Sequence, residues 1–454
     1  MIHGGRRAAS LLFLGDILVF VISLLVTLVV RYGTHFEWDT FMDHIGPFSI
    51  LFVIWSLVFY MSGLYGKRVL LFMSSLPDAI VKTQFFNIVL AALFFFLVPG
   101  IGIAPKTNLV IYLVVSLLLV FLWRLVLYPR LSIPRVRYPA VLIAKGDEAV
   151  ELVEHVNANK RYHLSFPLAV TPEEALANPE KLAERIREAG ASIVVTDSLD
   201  SDLESLIPQL YDLASFSEPA QFITFPDMYE EVFDRVPLSH VRASWFVENV
   251  PQTPPVYAFL KRAIDIVGGL LMGVITLGFA PFVWIAQGFE GPGPIFIEQS
   301  RLGKHGVPLR AYKFRSMSKN EKASSAWVGE SENHVTKVGS ILRKTSLDEF
   351  PQFMSVLKGE LSLIGPRNDI EGLGKRLAEE IPFYNFRYMV TPGITGWAQI
   401  NQQYEQGHIS PQSIEESKTR LAYDFYYLKH RSLGLDIVIA LKTIKRMFFR
   451  VSSW

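Results

Sequence analysis

The chain has 454 residues, 50% of them hydrophobic and only 19% charged, with a net charge of +1 and no cysteine. That length leaves room for about three domains, and a charged share below the usual ~25% points to membrane-embedded segments. Nothing in the charge balance argues for nucleic acid as a partner, and the missing cysteine excludes a disulfide framework, a thiolate zinc site and a cysteine nucleophile.

Four apolar runs come first: Leu11 to Val30, Ile45 to Leu64, Phe85 to Ile101, and Leu109 to Leu127. Each approaches the ~20 residues that a helix needs to cross the hydrocarbon core. The first is long and lacks a small-residue cleavage site, so it reads as a span and not as a cleaved signal peptide. Arg6 and Arg7 precede span one, Lys67, Arg68 and Lys82 separate spans two and three, and Arg130, Arg135 and Arg137 follow span four. The other two loops hold only Arg31 and Lys106 as basic residues, so the positive-inside rule places both ends of this multi-pass bundle in the cytoplasm. Asp16 lies inside span one, where an acid is a functional candidate. It sits within reach of Arg6 or Arg7, and a structural pairing with one of them is the simpler expectation. No repeated charge pairs or broken helices run through these spans, which leaves a transporter poorly supported.

From Tyr138 the composition turns water-soluble. Strands are expected at Tyr138 to Ala144, His163 to Val170, Ser192 to Thr196 and Gln221 to Phe225, with helices at Asp147 to Ala158, Pro179 to Ala189 and Leu203 to Ala214. That alternation argues for a parallel, Rossmann-like sheet. The dinucleotide fingerprint is missing, because Ala144-Lys145-Gly146-Asp147 offers one glycine where three are wanted. A structural or regulatory module is the expectation. A membrane-anchored nucleotide-binding sensor or scaffold, with a degenerate catalytic module, is the alternative reading of the whole chain.

A fifth apolar run, Ile266 to Ala286, is long enough to span. Basic residues flank both of its ends (Lys261 and Arg262 before, Arg301, Lys304 and Arg310 after), and Pro281 removes a backbone donor within it. A re-entrant helix that breaks at Pro281 and returns to the same face satisfies both facts. The expected organisation is therefore a four-helix transmembrane domain over 1–130, a Rossmann-like α/β domain over 135–250, and a mixed, mainly α-helical domain over 256–454 with a re-entrant helix at about 262–288.

The chemistry concentrates in this last domain. Asp348 and Glu349 are adjacent carboxylates, with Lys313, Arg315, Arg343, Lys358 and Arg367 around them in sequence. Two acids among fixed cations suit a phosphate-rich substrate with a divalent metal, since arginines grip phosphate oxygens bidentately and carboxylates serve as nucleophile or ligand. Alone, the acid pair reads more simply as a solvated helix start with Ser346 as its N-cap, and it is the surrounding residues that reverse this. Lys313 and Arg315 alone read equally as exposed strand residues, Trp397 reads as packing, and His408 and the other histidines show no ligand spacing. The tail from Leu433 to Phe449 has Leu435, Ile437, Val438, Leu441 and Ile444 at helical spacing beside Lys442, Lys445, Arg446 and Arg450. It suits an interfacial helix or one packed on the domain.

Taken in order, Gly291-Pro-Gly-Pro294, Gln299-Ser-Arg301, Tyr312-Lys313-Phe314-Arg315, Lys344-Thr-Ser-Leu-Asp348-Glu349-Phe-Pro-Gln352, Gly365-Pro366-Arg367 and Thr391-Pro-Gly-Ile-Thr-Gly-Trp397-Ala-Gln399 form a pattern. From about Lys261 to the C-terminus it resembles the bacterial sugar transferase family, the monotopic polyprenyl-phosphate phosphoglycosyl transferases. The whole chain resembles the family's large members, which carry four spans and a Rossmann-like domain before the catalytic module.

That resemblance implies transfer of a sugar-1-phosphate from a UDP-sugar, with UDP-glucose or UDP-galactose as the default, to undecaprenyl phosphate. It implies the cytoplasmic face of a bacterial inner membrane, at the first step of surface glycan synthesis. It makes Asp348 the nucleophile that carries a phosphosugar-aspartyl intermediate and Glu349 its acidic partner, both also candidate ligands of Mg²⁺. Whether Glu349 binds the metal or acts as a base stays open. Arg343 and Arg367 match positions linked to phosphate binding, with Lys313, Arg315 and Arg301 as further substrate-binding candidates. The family often has a proline where Asn368 stands, and usually breaks its membrane helix at Ser-Pro where this chain has Ala280-Pro281. The implied partners are the donor, the lipid phosphate and the bilayer, with a homodimer left open.

Overall fold

The computed structural model describes residues 3–62, 64–65, 76–98, 105–131, 137–159, 162, 164–191, 193–197, 203, 206, 208, 221–291, 293–317, 335–404 and 410–450. Lys67, Arg68, Arg135, His408 and most of the helix expected over 203–214 lie outside the described residues, as do the side chains of Arg6, Arg7, Lys106, Lys445 and Arg450. The chain divides into two compact units, Met1–Phe233 and Asp234–Trp454.

The first unit opens with α1 (His3–Tyr32), α2 (Trp38–Met61), α3 (Leu76–Leu97) and α4 (Pro105–Phe121), the last continuing through a π-helical stretch, Leu122–Leu127, into α5 (Tyr128–Leu131). The second and third helices begin well before the apolar runs at Ile45 and Phe85. Some polar residues near their N-terminal ends are buried and paired: His44 Nδ1 lies 2.7 Å from Thr40 O, Thr83 Oγ1 donates to Ala79 O, and Asn87 Nδ2 donates to Gln84 Oε1. Hydropathy misses such residues because their polar groups face the bundle, where intrahelical and neighbouring acceptors satisfy them. Phe20, Phe48, Phe52, Trp55, Phe59 and Tyr112 fill the interior, with Phe20 edge-on to Trp55 and Phe59 at 5.6 and 5.4 Å.

Asp16 finds a different partner from the one expected. Arg124, inside the π-helical stretch of the fourth span, donates to its carboxylate from Nε at 3.0 Å and Nη2 at 2.5 Å, and Tyr65 adds a 2.7 Å bond. Arg124 Nη1 also donates to Leu64 O at 2.9 Å. Both charged side chains are almost wholly buried, at 0% and 2% exposure. A carboxylate and a guanidinium on different spans meet because hydrocarbon offers neither of them any other counter-charge. Asp16→Ala is expected to destabilise the bundle by about 3 kcal/mol, because it leaves Arg124 buried and unpaired, and Asp16→Ala/Arg124→Leu should recover most of that loss. Denaturant titration of both variants in bicelles checks the pair of outcomes.

The rest of the first unit is an α/β layer: β1 (Tyr138–Ile143), α6 (Asp147–Ala158), β2 (Leu164–Val170), α7 (Pro172–Ala177), α8 (Pro179–Glu188), β3 (Ile193–Thr196), β4 (Gln221–Thr224) and α9 (Phe225–Phe233). The strands form one parallel sheet in the order β2-β1-β3-β4. Successive residues of β1 point to opposite faces. Val141 and Ile143 pack with Leu182 and Ile186 on one side, and Ala140 and Leu142 with Leu152 and Met228 on the other.

The second unit begins with a strap. Val236 N donates to Ala422 O at 3.1 Å, and α10 (Ala243–Asn249) buries Trp245 and Phe246 against Phe425 and Phe386, the last pair stacked at 3.9 Å. Next comes α11 (Pro255–Gly288), helical without interruption through Pro281. Five helices among the described residues are therefore long and apolar enough to cross a membrane, where the sequence counted four spans and one re-entrant run. The chain is a membrane protein, mostly helical, with a small parallel sheet. The inner face of α11 carries Asp265, Gly269, Gly273, Thr276 and Gln287, and the outward positions are Val267, Leu270, Leu271, Val274, Phe282 and Trp284.

The fold then proceeds through a hairpin of β5 (Phe296–Leu302) and β6 (Pro308–Phe314), then α12 (Lys337–Lys344), a 3₁₀ turn at Leu347–Gln352 and α13 (Phe353–Lys358). β7 (Ser362–Ile364) pairs in parallel with β8 (Gly393–Thr395) across α14 (Glu371–Glu380) and a 3₁₀ segment, Tyr384–Met389. A Cβ at Gly393 would lie 2.1 Å from Gly365 N, so only glycine allows these two chain segments to approach so closely. α15 (Trp397–Asn401), α16 (Ile414–His430) and α17 (Leu433–Arg450) complete the unit. α17 packs on the module through Leu435, Val438 and Ile439, and the Thr443 and Thr395 hydroxyls meet at 2.8 Å. Trp397 is core, stacked on Tyr426 with its indole N–H donating to Asp234 O at 2.8 Å.

Candidate active site

The two carboxylates stand where a helix changes direction. α12 is capped by Thr345, and Ser346 adopts left-handed backbone (φ 59°), an unusual conformation for a residue other than glycine. The chain restarts as the 3₁₀ turn that carries Asp348 and Glu349. Ser346 occupies the N-cap position, but its side chain makes no cap bond, and the pair is no solvated helix start. The Glu349 side chain is only 13% exposed.

Glu349 is held by two cations from different elements. Lys313, from β6, donates from Nζ to Oε1 at 2.6 Å, while Arg367, after β7, reaches Oε1 from Nη2 at 2.5 Å and Oε2 from Nη1 at 3.3 Å. Burial alone would raise the Glu349 carboxyl, but the charges of Arg367 and Lys313 outweigh it and hold the group far below the usual carboxylate range. Burial pulls Lys313 down to about 8 in spite of Glu349.

Asp348 contrasts with its neighbour. Among the described residues its half-buried carboxylate accepts no hydrogen bond and forms no ion pair. Burial, and then the charge of Glu349, raise it above the ordinary carboxylate value, against the pull of Lys313, Arg367 and Arg343. Two adjacent acids thus have opposite environments, one neutralised in place and one open and more basic. Such a divergence marks separate chemical roles.

The other sequence candidates are placed as follows. Arg343 faces Asp348 by charge alone, and among the described residues its guanidinium makes no hydrogen bond. Arg315 turns to the end of α11, donating to Gln287 O at 3.3 Å and Gly291 O at 3.2 Å, where a cation suits the helix dipole. Arg301 is buried and bonded to Gln299 and Asn368, and burial followed by the charge of Arg367 lowers it to about 10. Pro281 lies within the uninterrupted α11. Among the described residues no group of three or more histidines, aspartates and glutamates could hold a metal by itself.

Beneath Arg367 lies a buried network that the sequence reading missed. Asp369 accepts from Arg387, from Arg420 at 2.7 Å, and from the hydroxyls of Tyr384 and Tyr388 at 2.9 and 2.7 Å. Arg387 also bonds Asp424 Oδ2 from Nε at 2.9 Å and Arg367 O from Nη2 at 2.8 Å. A signal was present, since Arg420 and Asp424 fall four apart on the same face of α16 as Leu421, Phe425 and Leu428. Charges on an apolar helical stripe imply a buried partner.

Comparison with known proteins bears on this geometry. A family model described as bacterial sugar transferase matches residues 256–450. A UDP-N-acetylgalactosamine-undecaprenyl-phosphate N-acetylgalactosaminephosphotransferase of Aeromonas hydrophila is 38% identical over 220 residues, covering 48% of this chain and 49% of that protein. A UDP-glucose:undecaprenyl-phosphate glucose-1-phosphate transferase of Escherichia coli (strain K12) is 36% identical over 197 residues, covering 43% of this chain and 41% of that protein. The exopolysaccharide production protein PSS of Rhizobium leguminosarum bv. phaseoli is 35% identical over 191 residues, which cover 41% of this chain and 93% of that protein. The chain thus spans about half or less of the first two relatives and nearly the whole of the third.

Proposed function

Because the chain belongs to the bacterial sugar transferase family, we propose that it moves a sugar-1-phosphate from a UDP-sugar to undecaprenyl phosphate. The observation that carries the reading is the open, basic Asp348 beside a Glu349 locked by Lys313 and Arg367. An Asp348 oxygen attacks the sugar-bearing phosphorus, the bond from that phosphorus to the bridging oxygen breaks, and UMP leaves. A phosphate oxygen of undecaprenyl phosphate then attacks the same phosphorus, and the Asp348 carboxylate is released. The acyl-phosphate divides one transfer into two displacements and predicts ping-pong kinetics. Phosphoryl transfer depends mainly on positioning and charge stabilisation, which Arg343, Arg367 and Lys313 are suited to supply.

The residues present fit Mg²⁺ held by one carboxylate and the donor's phosphates, a usual arrangement for this ion. Asp348 has free oxygens for it, whereas Glu349 Oε1 already accepts from two cations and leaves Oε2 as the less encumbered atom. When bound, the ion would offset negative charge on the diphosphate. Glu349 is poorly suited to be a base, since its two cations hold it ionised and weakly basic.

The same compact unit grips α11 at both ends, which supports a helix that does not cross. Arg262 donates to Val356 O and Leu357 O at 2.7 and 2.6 Å, Asp265 accepts from Leu363 N at 2.8 Å, and Gln287 donates to Arg315 O at 2.7 Å. Arg262 and Gln287 lie roughly 37 Å apart along a helix, more than the ~30 Å of hydrocarbon. A crossing helix would put one unit on both sides of the bilayer. We therefore place the catalytic unit on the cytoplasmic face of a bacterial inner membrane, with both ends of an unbroken α11 on that face. The parallel order β2-β1-β3-β4 supports a Rossmann-like module, and the single glycine after β1 supports a role without a dinucleotide.

The decisive assay is UMP release by the full chain in membranes with Mg²⁺, undecaprenyl phosphate, and UDP-glucose, UDP-galactose or UDP-N-acetylgalactosamine. Repeated turnover with one donor that requires both the lipid phosphate and Asp348 is the expected result, with no more than a stoichiometric amount of UMP released when the lipid phosphate is left out. Release from no donor by folded protein would reject the reading.

A further inference from the structure

The loop that carries Arg367 has its main-chain carbonyls engaged at four consecutive residues. Pro366 O accepts from Gly393 N and Asp369 O from Leu302 N, both at 2.9 Å. The two central carbonyls are held by guanidinium groups: Arg387 Nη2 on Arg367 O at 2.8 Å, and Arg301 Nη1 on Asn368 O at 2.7 Å. Arg301 Nη1 also reaches Asn368 Oδ1 at 3.1 Å, while its Nε and Nη2 donate to Gln299 Oε1 at 3.0 and 2.8 Å. Arg387 is 0% and Arg301 8% exposed.

Desolvating a guanidinium is costly, so a buried arginine needs several good acceptors at once. Arg301 finds them on Gln299 of β5 and on both oxygens of Asn368. The planar fork of arginine meets such a set in one fixed geometry, which a lysine ammonium cannot. With these donors committed to the protein, Arg301 is badly placed to grip a phosphate, the role suggested by its sequence position.

We propose that Arg301 is a positioning residue that, together with Arg387, fixes the main chain at 366–369 so that Arg367 meets both oxygens of Glu349. It acts on protein carbonyls, and the donor's phosphates fall to Arg343, Arg367 and Lys313. Glu349 is thereby kept in place and the space in front of Asp348 stays clear. The inference rests on the phosphoglycosyl transfer reading for its kinetic consequence, but the clamp itself is a statement about the loop.

The test uses the full-length protein in nanodiscs, with Arg301→Lys and Asn368→Ala as variants and UMP release and peptide amide exchange as readouts. Arg301→Lys keeps the charge and loses the fork. Its kcat should fall on the order of 10²-fold, as for a small misplacement of a catalytic group. Its KM for the donor should change much less than its kcat, since Arg343 and Lys313, which the clamp does not hold, still meet the donor's phosphates. Exchange should quicken in peptides covering 362–370 and stay unchanged over 421–428. Asn368→Ala removes only the Oδ1 acceptor and should show the same pattern to a smaller degree, which keeps the test decisive if the lysine variant does not fold. A raised KM with unchanged kcat and unchanged exchange would mark Arg301 as a phosphate ligand and overturn the proposal. If the parent protein releases no UMP, the functional reading fails, and the exchange comparison still decides whether the clamp exists.

Discussion

Asp348→Asn is expected to abolish UMP release, by more than ~10³-fold as for removal of a covalent nucleophile, in a protein that still inserts and folds. The structure predicts more than loss of activity. Asp348 accepts no hydrogen bond among the described residues, and burial and the Glu349 charge disfavour its ionised form. An uncharged isostere relieves that repulsion, so thermal stability should be equal to the parent's or slightly higher. Glu349→Gln should behave in the opposite way, because it leaves Lys313 and Arg367 facing a neutral amide. Melting curves with a UMP-release assay separate the two variants. Incubating the parent with donor but no lipid phosphate should leave the mass of one hexose phosphate on the peptide containing Asp348, and the Asp348→Asn variant should lack it. That mass on the corresponding peptide of the variant, or an active parent that never carries it, would contradict the two-step scheme.

Asp369→Asn carries the largest expected effect on stability. Its carboxylate accepts from two buried guanidiniums and two buried tyrosine hydroxyls. Removing one partner of a buried ion pair costs about 3–5 kcal/mol, because the remaining charges stay desolvated without compensation. Burial alone would raise the Asp369 carboxyl, but Arg387 and Arg420 reverse this and hold it far below the ordinary range. The sign of the pH dependence follows. With a depressed folded value, the unfolded chain binds the proton more readily. The stabilisation is therefore complete above the unfolded value of ~3.9 and is lost as pH falls below it. Unfolding of the parent protein in detergent should show this loss between about pH 4 and pH 2. The Asp369→Asn variant should be weaker at neutral pH and flatter across that window. Equal stability of the two at pH 7 would mean that the cluster is not the keystone its geometry indicates.

The two effects are connected through Arg367. Arg387 joins the Asp369 cluster to the Arg367 carbonyl, and Arg367 joins that carbonyl's loop to Glu349. Loss of the cluster should therefore reduce activity at temperatures below those that unfold the unit.

Sequence alone determined the features that depend on local composition and order. Apolar runs located the membrane helices, because a helix in hydrocarbon needs a long uninterrupted stretch. The alternation of short apolar runs with amphipathic segments located the strands of the parallel sheet. The ordered blocks from Lys313 to Gln399 located the acid pair and set Lys313 and Arg367 among the cations around it. What tertiary structure decided were the pairings between residues far apart in the chain. Asp16 lies near Arg6 and Arg7 in sequence, yet it is bound by Arg124 from the fourth span. Asp348 and Glu349 are chemically alike in sequence and become different only because two cations from separate elements converge on one of them. Arg301 and Arg315 are substrate-binding candidates by sequence, and it is packing that supplies carbonyl groups for their donors. The physical reason is common to all three. A charge buried in a low-dielectric interior must find a partner, and which partner it finds is set by the fold around it and not by its neighbours in the chain.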